Sequence, residues 1–203
     1  AGVGRPAVPP AVWRPFGRVA LTPALEMQLV QSDDRTPVGA TRNGALLAQI
    51  PGLRVGNPRD GPKAHGCLLT AIRDPDPVVF LEPKRLYRSV REEVAENGEA
   101  LPLDKAFTLQ SGDDVTIVAL AAMVPRPQKA AEVLQKEHGI SAEVIDLRCL
   151  VPLDTTTVFK SVSATGRMVT VEENPRLCGW GAELSSLVSE ELFWDLEGPI
   201  VRV

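Results

Sequence analysis

The second half of the sequence alternates short apolar runs with helical segments, and this alternation restricts the fold more than any other feature. Apolar runs at 114–120 and 144–147 flank a helical pattern at 125–138, and the stretch SAEVIDLRCLVPLD at 141–154 lies in the middle of the series. Parallel strands need a crossover connection, which is usually a helix. The pattern therefore predicts an α/β domain, a three-layer sandwich whose mostly parallel sheet is covered by helices on both faces.

The same alternation continues to the last residue. Helices are predicted at 154–164 and 181–194, and strands at 167–173 and 199–203. Asp154 precedes the first of these helices and is placed to cap it. The sheet is therefore expected to contain four or five strands.

A shorter α/β pattern precedes this domain. Helices are predicted at 45–50 and 63–73, and brief strands at 53–55 and 78–81. The sequence Asp-Pro-Asp-Pro at 74–77 ends the second helix, because a residue that precedes proline is pushed out of the helical region.

Composition and charge narrow the classes of function. A net charge of −4 without a long run of Lys or Arg argues against nucleic acid as the main partner. No apolar run approaches the roughly 18 residues that cross a bilayer, so no membrane partner is expected. The start of the chain has no apolar signal core, and Cys67, Cys149 and Cys178 are widely spaced. Reduced thiols in an intracellular compartment are therefore expected, rather than a disulfide framework or a zinc site.

Five stretches occur in the order and at about the spacing of one known family. Together they resemble the beta subunit of the thiamine-diphosphate-dependent decarboxylating component of 2-oxo acid dehydrogenases, of the pyruvate and branched-chain type. The second half resembles the C-terminal domain of transketolase. The stretches are ALLAQIPGLRV (45–55), LLTAIRDPDPVVFLEPKRLYR (68–88), GEALPLDKAFTLQSGDDVTIVALAAMV (98–124), SAEVIDLRCLVPLDTTTVFKSVSATGRMVTVEENP (141–175) and GWGAELSSLVSEELFWDLEGPIVRV (179–203).

The resemblance implies four parts in the chain. Residues 1–43 are expected to be a poorly ordered or divergent N-terminal segment, and 44–88 the remnant of a pyrimidine-binding domain. Residues 89–105 are expected to be a linker. Residues 106–203 are expected to be the transketolase C-terminal-like domain, which the family uses for assembly and for docking.

The resemblance also implies a function. In the family, a 2-oxo acid is oxidatively decarboxylated and its acyl group passes to a lipoyl arm. Thiamine diphosphate is shared with an alpha subunit, which also holds magnesium. The family's catalytic glutamate lies upstream of the matching stretches, and its histidine falls where this sequence has PVGAT at 37–41. We therefore expect no catalytic and no cofactor-binding residue here, and an enzyme only as part of an alpha/beta assembly.

The partners implied by the resemblance are an alpha subunit, a second beta subunit and the lipoyl transacylase core. Such a hetero-oligomer belongs in the cytoplasm, or in the mitochondrial matrix of a eukaryote.

The resemblance further implies a site for a monovalent cation, potassium, in the turn after a helix. The matching residues are Ala71, Ile72, Asp74 and Asp76. Orphan carbonyls at a helix end and two carboxylates suit a hard cation. The alternative is that Asp74 and Asp76 only end the helix and begin a turn.

Two features near the end of the predicted strand 167–173 allow different interpretations. Glu172 and Glu173 stand where ligands bind in open parallel sheets, although carboxylates at a strand end are usually solvated. The sequence Gly-Trp-Gly at 179–181 precedes a helix and is either an anion cradle or a tight turn.

Other side chains are expected to be structural. Cys149 and Cys178 are predicted to be buried, inert thiols. His138 is placed to cap a helix end. The aromatic stretch at 192–194 is predicted to be core or a subunit contact.

Two other functions stay open at this point. One is a non-catalytic assembly module derived from the same subunit. The other is an unrelated doubly wound domain that binds a small phosphate ligand at the loops of 173–181.

Overall fold

The structure is a computed structural model that describes residues 40–83, 93 and 99–203. The poorly ordered start predicted for 1–43 and the linker predicted for 89–105 lie largely outside these ranges. The described elements are α1 (Ala40–Ala48), β1 (Arg54–Gly56), α2 (Gly61–Arg73), β2 (Val78–Phe80), β3 (Phe107–Gln110), β4 (Val115–Ala119), α3 (Pro125–Val133), β5 (Ala142–Asp146), β6 (Cys149–Val151), α4 (Thr155–Thr165), β7 (Met168–Val171), α5 (Trp180–Glu191) and β8 (Val201–Arg202).

Five strands of the second half form one sheet in the order β3-β5-β4-β7-β8. β4 runs parallel to both β5 and β7, and β7 runs parallel to β8. β3 lies at one edge and is antiparallel to β5. The prediction of a mostly parallel sheet of four or five strands is confirmed. β3 was not predicted, because the short FTLQ run carries little apolar alternation.

Strand β4 explains why helices cover both faces of this sheet. Successive side chains of a strand point to opposite faces. Val118 packs in a core that contains Val162 of α4 and Leu184 of α5, whereas Ile117 packs in another that contains Ala131 of α3. The predicted three-layer sandwich is therefore confirmed.

A second, three-stranded sheet joins the two halves of the chain. Its order is β2-β1-β6, with β1 parallel to β2 and antiparallel to β6. β1 and β2 belong to the first half and β6 to the second. Val55 of β1 pairs with Val151 of β6, and both contribute to the core that also contains Leu47 and Leu150. The two halves thus share backbone hydrogen bonds as well as a core.

The ends of the helices follow from identifiable side chains. Asp60 caps α2 by accepting a hydrogen bond of 2.8 Å from the backbone N–H of Lys63. Asp154 caps α4 through Thr157 N at 3.1 Å, as predicted, and its other oxygen accepts a bond of 3.0 Å from Ala106 N. None of the described helices is both long and apolar enough to cross a bilayer.

The helical segment that begins with α3 continues as a π-helical turn over Leu134–His138. It ends at Gly139, whose φ of 67° is left-handed. His138 lies in the last turn, next to this cap, and its predicted capping role stays a prediction.

Candidate functional site

The residues predicted to bind a monovalent cation lie at the end of α2. Asp74 follows the helix, and its Oδ1 accepts a hydrogen bond of 2.9 Å from Asp76 N. The guanidinium of Arg54 reaches both carboxylates, with Nε 3.3 Å from Asp74 Oδ1 and Nη2 3.2 Å from Asp76 Oδ2. Ala71 is buried, and Ile72 is 51% exposed. A positive charge therefore already faces the two carboxylates that were predicted to bind the cation.

Metal-ligating side chains do not cluster in the part of the chain that the structure describes. No group of three or more His, Cys, Asp and Glu residues there is arranged to hold a metal ion. The cation site predicted at the α2 turn combines main-chain carbonyls with the two carboxylates, and it stays a prediction.

A buried polar cluster lies where the two halves of the chain meet. Asp146 ends β5, is 1% exposed, and accepts a hydrogen bond of 3.1 Å from Arg148 N. Arg59 follows β1 and places its Nε 3.9 Å from Asp146 Oδ2. The same guanidinium donates to Asp60 Oδ2 at 3.1 and 2.9 Å and to Gln128 Oε1 at 2.9 Å. Arg59 thus connects the start of α2 with α3.

Arg148 extends this cluster toward β3. It is 1% exposed and has a left-handed φ of 56°. Its Nε and Nη2 donate to the carbonyl of Lys105 at 3.2 and 2.6 Å, and its guanidinium lies 4.5 Å from the ring centroid of Phe107. Nη1 lies 3.9 Å from the sulfur of Cys67 on α2. Arg148 therefore contacts elements from both halves.

Burial changes the proton affinity of this cluster. Burial raises the pKa of the Asp146 carboxyl to about 7, against the opposing effects of the Arg148 N–H and the Arg59 charge. Burial also raises the pKa of the Cys149 thiol to about 12 and that of Cys67 above its ordinary value. Because the thiolate is the reactive form, neither thiol is activated. Cys149 is buried and inert, as predicted.

Glu172, just beyond β7, is buried and paired. Its side chain is 0% exposed, and it accepts hydrogen bonds from Gly181 N at 3.2 Å and from Arg202 Nη2 at 2.9 Å. The expectation of a solvated carboxylate was wrong for Glu172, because the helix N-terminus and a guanidinium replace water. A Cβ at Gly179 or Gly181 would lie 2.3 or 2.7 Å from this carboxylate. The glycines at 179 and 181 therefore leave space for the Glu172 carboxylate, so the anion at this helix start belongs to the chain itself.

Buried polar atoms and a cavity adjoin this pair. Thr170 Oγ1, Trp180 Nε1 and the Asn174 amide have no hydrogen-bond partner among the described residues. The cavity, of about 560 Å³, has a mainly apolar lining from α1, β6 and the start of α5. Cys178 borders it and is exposed with a φ of 57°, so the prediction that this thiol is buried was wrong.

The aromatic residues after α5 face solvent. Phe193 is 61% and Trp194 is 92% exposed, and their rings meet edge to face with centroids 5.1 Å apart. Leu192, in contrast, packs against the main core. The core interpretation therefore holds for Leu192 alone, and the subunit contact stays a prediction for the two aromatic residues.

Comparison with known families accounts for both halves of this arrangement. Residues 39–90 match the model of the transketolase pyrimidine binding domain, and residues 104–203 match that of the transketolase C-terminal domain. The chain belongs to the transketolase family. This family consists of thiamine-diphosphate-dependent enzymes and their subunits.

Relatives identify the branch of the transketolase family. The chain is 40% identical over 200 residues to the pyruvate dehydrogenase E1 component subunit beta of Staphylococcus aureus and to that of Bacillus subtilis. Each alignment covers 98% of this chain and 57% of the relative, so the chain spans a little over half the length of these proteins. The predicted resemblance to these beta subunits is confirmed.

A solved structure supports the fold. It is described as a split gene transketolase, an inactive beta4 tetramer, and is 31% identical with a TM-score of 0.67. The match covers 80% of this chain and 51% of that one. Family membership excludes the alternative of an unrelated doubly wound domain.

The buried polar cluster of Arg59, Asp146 and Arg148, called the junction from here on, was not predicted from the sequence. The apolar run predicted at 144–147 includes Asp146, and Arg148 follows it directly. Two opposite charges between apolar runs were the available signal, since a charge flanked by buried residues needs a partner. That the partner is Arg59 depends on the pairing of β1 with β6.

Proposed function

We propose that the chain acts as the beta subunit of a 2-oxo acid dehydrogenase decarboxylating component, together with an alpha subunit. The reaction is oxidative decarboxylation of a 2-oxo acid with transfer of the acyl group to lipoyl. The observation that carries this proposal is the 40% identity to E1 beta subunits, which spans both halves of the chain. The shared sheet of β1 and β6 supports it, because it keeps the pyrimidine-type segment joined to the C-terminal domain.

We propose that thiamine diphosphate is shared with an alpha subunit that holds magnesium, and we assign no catalytic residue to the described part of the chain. Membership of a thiamine-diphosphate-dependent family supports the cofactor. The most buried carboxylates, on Asp146, Asp154 and Glu172, each accept a hydrogen bond within the chain.

The proposed partners are the alpha subunit, a second beta subunit and the lipoyl transacylase core, in the cytoplasm or in a mitochondrial matrix. The exposed pair Phe193 and Trp194 supports a role in assembly, because large aromatic side chains are enriched at protein interfaces. The solved relative is described as a tetramer of beta chains.

Reconstitution tests the function. The chain is mixed with the alpha subunit of the Bacillus subtilis relative, thiamine diphosphate, magnesium, a 2-oxo acid and an oxidised lipoyl acceptor, and release of carbon dioxide is measured. We expect turnover in the usual enzyme range of about 1–1000 per second for the mixture and none for either chain alone. Stable association without turnover would instead identify an assembly module. Absence of association would contradict both functions.

We also propose that potassium binds at the α2 turn through the carbonyls of Ala71 and Ile72 and the side chains of Asp74 and Asp76. The helix end and its two carboxylates, with Asp74 buried and Asp76 exposed, support this site, and Arg54 would compete with the ion. Potassium chloride should stabilise the chain by about 3 kcal/mol over sodium chloride when the ion is a hundredfold above its Kd.

Thermal unfolding at equal ionic strength measures this difference. The matched variant Arg54→Met should increase the potassium effect, because it removes the competing charge. Equal stability in both salts, for both proteins, would mean that the two carboxylates only end the helix.

A further inference from the structure

Asp146 lies at the contact between the two halves of the chain. Its carboxyl, 1% exposed, belongs to β5 of the second half, and the nearest guanidinium belongs to Arg59 of the first half. The separation of 3.9 Å between Arg59 Nε and Asp146 Oδ2 exceeds a hydrogen bond. Arg59 instead donates to Asp60 and Gln128. The interface therefore places the Arg59 guanidinium between two carboxyl groups, and it is hydrogen-bonded to Asp60 but not to Asp146.

Other charged and titratable groups surround this carboxyl from every element packed against it. Arg148 follows on the same strand end and donates its N–H to Asp146, while its guanidinium is committed to the carbonyl of Lys105. Asp60, before α2, also acts on the Asp146 carboxyl. The thiols of Cys67 on α2 and Cys149 on β6 each interact electrostatically with Asp146. Lys63 acts on Cys67, and Asp104, before β3, acts on Cys149.

We propose that Asp146 is a protonation switch for the contact between the two halves. In its neutral form the side chain allows the loop after β1 and the start of α2 to pack against the end of β5. When it ionises, the buried contact holds a charge that lacks a direct hydrogen bond from a guanidinium. The contact then opens more often, because opening brings water to the carboxylate.

The direction of the pH effect follows from linkage. Burial raises the pKa of Asp146 to about 7, from 3.8 in the open or unfolded chain. The stabilisation contributed by the neutral form is complete below the pKa of the open chain. It decreases as the pH rises above that value, and it is lost once the pH passes the pKa of the folded chain. The junction should therefore be tightest under mildly acidic conditions and loosen up to about pH 7, with little change above that.

Hydrogen exchange of the full chain tests the switch. Amide protection is measured at about pH 5.5 and about pH 7.5 and corrected for the intrinsic rate of exchange. Amides of α2 and β6 should lose about tenfold or more in protection at the higher pH, since one linked proton allows up to a factor of ten per pH unit. Amides of β7 and β8, which β4 separates from β5 in the sheet, should change much less.

Variants assign the effect to Asp146. Asp146→Asn should remove the pH dependence of α2 and β6, whereas Glu143→Gln, which neutralises another carboxylate of β5, should keep it. His65→Gln, which removes the histidine of α2, should also keep it. Loss of the effect in the His65 variant would assign it to the histidine and overturn the proposal.

A second variant keeps the test decisive if Asp146→Asn does not fold. Arg59→Gln removes the facing positive charge, so the pH at which protection falls should move upward. An unchanged midpoint in Arg59→Gln, or a loss of protection that is equally large in β7 and β8, would overturn the proposal.

Discussion

Replacing Glu172 by alanine should destabilise the chain by about 3–5 kcal/mol, because it removes one partner of a buried ion pair. The Glu172 side chain is 0% exposed, and Arg202, its partner, is 17% exposed. The substitution leaves the guanidinium largely buried without its carboxylate. It also leaves the N–H of Gly181, at the start of α5, without its acceptor. We therefore expect both β8 and the first turn of α5 to loosen.

Urea unfolding measures this loss, and two variants separate its causes. Glu172→Gln keeps the shape and can still accept from Gly181 N, but it loses the charge that faces Arg202. It should therefore be less destabilising than the alanine variant. Glu197→Gln breaks the exposed ion pair with Arg167 and should change stability by less than about 1 kcal/mol. Equal effects of Glu172→Ala and Glu197→Gln would show that the buried pair contributes nothing.

Replacing Arg148 by alanine should destabilise the chain by about 3 kcal/mol, and β3 should lose its attachment to the junction. The side chain is 1% exposed and donates twice to the Lys105 carbonyl. Its removal leaves a cavity beside Phe107 and Cys67 and takes two donors from that carbonyl. Arg148→Lys should recover only part of the stability, since an ammonium group cannot reproduce the planar, two-pronged contact.

The backbone of Arg148 provides a matched control for this experiment. Its φ of 56° is left-handed, a conformation that favours glycine over alanine by about 1 kcal/mol. Arg148→Gly should therefore be about 1 kcal/mol less destabilising than Arg148→Ala in urea unfolding. The opposite order would mean that the left-handed conformation is not retained, and that loss of the side chain alone does not explain the effect.

Elements with strong local signals were predictable. The apolar run at β4 and the helical spacing of α3 gave the layered architecture, because side-chain periodicity decides which face is buried. Asp154 was recognisable as a cap, because a carboxylate that precedes a helix can accept a hydrogen bond from an unpaired backbone N–H of the first turn. The assignment to the transketolase family came from five stretches in register, which share both patterns and specific residues.

Other features had no local signal. Strand β6 has three residues and pairs with β1, nearly a hundred positions earlier, so no neighbouring residue indicates its partner. Glu172 and Glu173 are adjacent and chemically alike, yet the side chain of Glu172 is wholly buried while Glu173 is intermediate in exposure. Cys149 and Cys178 differ in the same way, with the first buried and the second exposed.

The sequence by itself determined the class of fold, the order of most strands and helices, and the family, because these depend on periodicity and local residue chemistry. Only the tertiary structure decided which charges are buried and what they face. Arg59 meets Asp146, and Arg202 meets Glu172, across distances in sequence that no local pattern encodes. The physical reason is that the energy of a charge depends on its surroundings, and those are assembled from both halves of the chain only when it folds.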